Sequence, residues 1–119
     1  MKRIKNIFIL LFFPFVVSAQ SSSYLDSIKQ ELLHTTNDTI KMDIYRNLGF
    51  YLQNGKVDSA LHYHQQQLAY AEKLDMKLYQ ADAHQQMAYV LLWQNELPDA
   101  LKNYKQALKI ASEPNSASI

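Results

Sequence analysis

Cysteine is absent from the 119 residues, and glycine occurs twice, proline three times and tryptophan once. Each shortage excludes something. Without cysteine the fold has no disulfide to lean on and no thiol nucleophile, so apolar packing alone has to hold it. Gly49 and Gly55 are too few for a hairpin-rich β fold, whose tight turns call for glycine. Charge of one sign is also missing, with twelve Lys and Arg against eleven Asp and Glu. Nor is there a long apolar run. Ile7 to Val17 is eleven residues, about 16 Å as a helix against roughly 30 Å of hydrocarbon, and Pro14 interrupts it.

That short run reads instead as a secretory signal. Lys2, Arg3 and Lys5 precede it, and Val17-Ser18-Ala19 supplies small residues for cleavage, so residues 1–19 are expected to be removed and the rest exported. No cysteine follows to carry a lipid. Removal takes three basic residues and no acidic one, leaving nine against eleven, net −2. Such a balance is no footprint for nucleic acid, and no membrane span is expected after cleavage.

Apolar residues recur at helical spacing through almost all of residues 24–111, which predicts an all-α chain. A short helix is expected over 24–34, with Leu25, Ile28, Leu32 and Leu33 on one side. Asn37 or Asp38 then caps a helix to about Asn54, a third runs over about 58–74, and a fourth ends near Gln94. Pro98 sits in the first turn of the fifth, where its missing N–H costs nothing. Residues 115–119 read as a disordered tail.

Two windows repeat. VDSALHYHQQQLAYA (57–71) and LPDALKNYKQALKIA (97–111) align without a gap, sharing Ala60-Leu61 with Ala100-Leu101, Gln66 with Gln106, Leu68 with Leu108 and Ala71 with Ala111. A helix ending in Gln-Asn (53–54, 94–95) precedes each. Self-similarity of this kind marks a helix–turn–helix repeat. His84, Met87-Ala88, Leu91, Ala100, Tyr104 and Ala107 in the second unit, and Tyr45, Leu48-Gly49, Leu52, Ala60 and His64 in the first, resemble the tetratricopeptide repeat. The resemblance implies a right-handed α-solenoid of antiparallel helix pairs. A leading helix of a degenerate unit would occupy 20–37, repeat one 38–75 and repeat two 76–114. In each pair the first helix is the A helix and the second the B helix.

Small residues at fixed places have a packing reason. Gly49 and Ala88 on the A helices, with Ala60 and Ala100 on the B helices, let paired axes approach the short end of the 8–10 Å range. Leu61, Leu68, Leu101, Tyr104, Ala107 and Leu108 are expected to fill the space around that contact. On the last helix Ala100, Ala107 and Ile110 read as a second stripe left for further repeats or for a second copy in a homodimer.

Chemistry-bearing patterns are scarce. His62 and His64 lie about 200° apart on a helix and cannot chelate one ion, and His64 reads as a packing residue with one polar edge. No metal or cofactor site is expected. No phosphate loop or nucleophile elbow occurs, so no catalytic residue is assigned and the chain does not read as an enzyme. Asp26, Asp43, Asp58, Asp82 and Asp99 read as cap or early-helix anions, Gln65 to Gln67 as helix formers, and Lys102, Lys105 and Lys109 as a solvated face, with a site for an acidic partner as the alternative.

In tetratricopeptide arrays the A helices line a concave groove. By position, the resemblance places Arg46, Asn47, Phe50, Gln53, Gln85, Gln86, Tyr89 and Trp93 there, to bind a protein or peptide. Packing of the aromatics between repeats is the alternative. Chaperone-binding members clamp a terminal carboxylate with lysines, and this chain has Asp43 and Asp82 in that region instead. The layout also resembles the exported N-terminal sensor region of tetratricopeptide-containing histidine kinases and transcription regulators, which implies a signalling input.

Overall fold

The computed structural model describes residues 23–114, so the expected signal segment and the tail 115–119 lie outside the described residues. The chain divides into two compact units, Met1–His34 and Thr35–Ile119. In the first, residues 23–34 form a helix, α1. Ile28 is its buried position and Leu25 and Leu32 are half-buried, but Leu33 is 75% exposed. One residue beyond Leu32 is a further 100° round the helix, which takes Leu33 off the apolar side.

The second unit is four helices: α2 (Asp38–Leu52), α3 (Val57–Lys73), α4 (Lys77–Trp93) and α5 (Leu97–Ala111). Consecutive helices pack on each other, and α2 also touches α4. These are two helix hairpins stacked side by side, with α2 and α4 as A helices and α3 and α5 as B helices. The four helices of the second unit begin and end within about two residues of the sequence expectation, α1 ends at His34 as expected, and the described residues include no strand.

The caps explain where the helices stop. Asn37 opens α2, its side chain accepting from the Ile40 amide at 3.1 Å. Both α3 and α4 end in the same way. Asp75 and Asn95 adopt left-handed φ of 54° and 60°. The Met76 and Glu96 amides then reach back to the Ala71 and Leu91 carbonyls, each at 2.9 Å. Asp75 and Asn95 themselves donate to Glu72 and Leu92, which completes a Schellman motif at each end. Asparagine tolerates this conformation better than residues with longer or branched side chains. Asn95→Ala is therefore expected to cost about 1 kcal/mol, and Asn95→Gly to be neutral or stabilising, in urea unfolding curves.

The small residues lie where the sequence places them. Gly49, Ala60, Ala88 and Ala100 are all buried. At Gly49 the reason is atomic: a Cβ there would meet the His64 ring at 2.5 Å. Beside this contact Tyr45 of α2 packs against Tyr63 and Tyr70 of α3, with centroids 6.2 and 5.8 Å away. In the second hairpin the same places hold a polar pair, His84 Nδ1–H donating to Asn103 Oδ1 at 3.0 Å.

Two packing expectations fail. Leu101 and Leu108 do not fill the second hairpin; they are 54% and 69% exposed. Leu61 and Leu68 are half-buried, as are Tyr104 and Ala107. The stripe expected to face outward is the inner one, since Ala100 and Ile110 are buried. The cause is that α4 lies on the side of α5 where Ala100 and Asn103 allow the closest approach. The leucines, rotated roughly 100° or more from Asn103 and Ile110, are turned outward. His64 packs as expected, but its polar edge is fully buried and neither ring nitrogen makes a hydrogen bond.

Candidate functional site

Two depressions run along the A-helix face. The first, of about 230 Å³, is lined by Asp43, Arg46, Leu78, Tyr79 and Asp82. Within it Arg46 Nε donates to Asp82 Oδ2 at 2.7 Å, tying α2 to α4. Asp82 also accepts from Gln67 Nε2 at 2.9 Å and from Gln86 at 3.5 Å. Arg46, expected to face a partner, thus has its Nε committed within the chain. Asp82 is not simply a helix-dipole anion, since it gathers donors from three helices. The Tyr79 hydroxyl is held above its usual pKa, first by burial and then by the Asp43 carboxylate.

Gln67 departs most from its sequence reading. It is fully buried and its amide also donates to the Tyr79 carbonyl at 3.2 Å. Gln80 does the converse, donating to the Ala71 carbonyl at 3.2 Å. Two buried glutamines therefore join α3 to α4, the seam between the repeats, and set the relative placement of the two A helices. The Nε2 bonds offset part of the cost of burying these amides, whereas Gln67 Oε1 is buried without a hydrogen-bond partner and adds to that cost. The one hint in the sequence was that Gln67 stands where the second unit has Ala107.

The second depression, about 210 Å³, is lined by Phe50, Gln85, Gln86, Tyr89 and Tyr104. A narrow crevice between Gln53, Asn54, Tyr89, Val90 and Trp93 adjoins it through Tyr89. The rings of Tyr89 and Trp93 meet edge to face, centroids 6.1 Å apart. Phe50 and Tyr89 are exposed, and Trp93 is 72% exposed, so much of each ring is left uncovered by the repeats. Asn47 is exposed on the same helix as Phe50. Of the eight groove residues expected from sequence, the structure brings Phe50, Gln85, Gln86, Tyr89, Gln53 and Trp93 to two adjoining depressions. Arg46 belongs to the other one, and Asn47 lines none of them. Leu78, Tyr79 and Tyr104 were not expected there; Tyr104 was assigned to packing and is half-buried at the groove wall.

A family model agrees with this architecture. The sequence model of the SusR N-terminal TPR domain matches residues 16–114. The chain belongs to that family. No curated protein and no solved structure matches it. Membership of this TPR family makes the chain an all-α helical repeat, and repeats of this class are protein–protein interaction modules. No helix among the described residues is long and apolar enough to cross a membrane.

Proposed function

We propose that the TPR unit binds an extended peptide or a helix of a partner protein along α2 and α4, and that it does so outside the cytoplasm. One observation carries the reading: Phe50, Tyr89 and Trp93 are uncovered yet clustered, with amides of Gln85 and Gln86 beside them. Aromatic anchors flanked by hydrogen-bonding groups are the chemistry of interface hot spots. The Arg46–Asp82 pair supplies a fixed wall rather than a free charge. Export is supported by the basic start, short apolar run and Val17-Ser18-Ala19 of residues 1–19.

The test compares the wild-type chain with Tyr89→Ala plus Trp93→Ala as baits. A partner retained by the first and lost by the second, with helical circular dichroism unchanged, supports the groove. Equal retention by both moves the site elsewhere. Because both side chains are exposed, the double variant is expected to fold, with stability changed by no more than about 0.5 kcal/mol.

A second reading concerns context. The matching family is described as an N-terminal domain, which favours the chain as the input part of a longer signalling protein such as a membrane-bound sensor kinase or transcription regulator. A neighbouring reading frame encoding further repeats and an output domain would support it, and an isolated gene would count against it.

A further inference from the structure

The exposed leucines of α5 and its lysines form one surface. Leu97, Leu101 and Leu108 lie within about 40° of one another around the helix axis, and Lys105 borders them on the side away from the buried Ala100 and Ile110. A shallow depression of about 410 Å³ joins Pro98 and Leu101 to Lys102, Lys105 and Lys109. Asp99 is the one acidic residue of α5, and none of the three lysines pairs with a carboxylate among the described residues.

The internal repeat shows what kind of object fits here. Leu101, Tyr104, Ala107 and Leu108 correspond to Leu61, His64, Gln67 and Leu68 of α3. On α3 the equivalent residues are half-buried or fully buried, and α4 packs alongside through the Gln67–Tyr79 and Gln80–Ala71 hydrogen bonds. On α5 the same positions are more open in every case. The flank differs in charge: His62, Gln65 and Ala69 of α3 become Lys102, Lys105 and Lys109. On α3 these flank positions are exposed beside α4, so the lysines lie along the margin of the α5 face, where they meet an occupant's flanking side chains rather than its packed stripe.

We propose that α5 docks an acidic amphipathic helix of another protein, its apolar stripe on Leu97, Leu101 and Leu108 and its carboxylates against Lys102, Lys105 and Lys109. Self-pairing through α5 is disfavoured because it would bring two rows of lysines together. An anionic membrane also attracts basic amphipathic helices, but the repeat geometry fits a helix, since that is what packs on the equivalent face of α3.

The probe is a synthetic helix of about 18 residues with a leucine stripe flanked by glutamates, titrated against the full chain. Two controls replace its glutamates with lysines, or its leucines with serines. The glutamate helix is expected to bind at least about ten-fold more tightly than either control, with affinity falling as salt rises. Changing Lys102, Lys105 and Lys109 together to Gln is expected to lower that affinity about ten-fold and flatten the salt dependence. Leu101→Ser with Leu108→Ser should abolish binding, and the lysine variant carries the test if this one folds poorly. Tyr89→Ala plus Trp93→Ala should leave peptide binding unchanged, which separates this surface from the groove. Equal affinity for the acidic and basic helices would overturn the proposal. So would self-association that the leucine variant removes, or binding to phosphatidylserine vesicles with none to the peptide.

Discussion

Lowering the pH from 6.5 to 4 is expected to remove about 3 kcal/mol of stability through one side chain, His64. The ring is fully buried in the α2–α3 contact, and burial lowers its pKa to about 4, against the opposing pull of the Asp82 carboxylate. In the unfolded chain an unperturbed histidine titrates near 6.5. Below that value the unfolded state takes up a proton that the folded state refuses, so stability falls with pH until the buried ring itself protonates near 4. The dependence fades above 6.5 and is gone by about 7.5, where the unfolded ring is neutral as well. Small domains hold about 5–15 kcal/mol in total, so a loss of this size is large. Urea unfolding at several pH values reads it directly. His64→Leu, which cannot titrate, is expected to flatten the difference across this window, and a wild-type curve parallel to that of the variant would show that the ring is hydrated after all.

Gly49→Ala is expected to destabilise the protein by about 1–2 kcal/mol, against the usual direction for that change within a helix. Replacing a mid-helix glycine by alanine ordinarily gains roughly 0.5–1 kcal/mol, because glycine has more backbone freedom to lose. Here the new methyl would stand 2.5–2.8 Å from three atoms of the His64 ring, closer than any real contact. The ring is fully buried, so it has little room to swing away, and overpacking of this kind costs about 1–3 kcal/mol. The two effects separate in a double-mutant cycle. In a His64→Ala background the clash is gone, and Gly49→Ala should turn stabilising. The second hairpin shows the alternative solution, Ala88 at the equivalent position of α4 and Tyr104 at that of His64. An additive cycle would mean that the two helices do not approach as closely as described.

Helix spacing, capping residues and the alignment of the two B-helix windows carry the fold in the sequence almost completely. Periodicity of apolar residues reports burial averaged along a helix, which is why element boundaries and the small-residue contacts Gly49, Ala60, Ala88 and Ala100 were readable. It does not report which of two apolar stripes meets the neighbour. On α5 the leucine stripe and the alanine stripe are both apolar, and the choice between them rests on how closely α4 can approach, which is a three-dimensional quantity. The burial of Gln67 was not legible for a related reason. A glutamine on a helix looks solvated unless one knows that Asp82 and the Tyr79 carbonyl wait beside it, twelve or more residues on. The recurrence of an aromatic on the A helices was legible, because the repeat places Phe50 and Tyr89 at matching positions. Their exposure, which decides between binding and packing, was not.

Trp93 offers the most direct test of the central claim, that the A-helix groove is the surface through which this TPR unit engages protein. It is the single tryptophan of the chain and stands in contact with Tyr89 at the groove edge. Peptides selected from a random library on the purified chain would be titrated while its fluorescence is recorded. The account predicts a saturable blue shift as the indole leaves water, lost when Tyr89→Ala weakens binding. Tight binding by the selected peptides with the emission of Trp93 unchanged would contradict it.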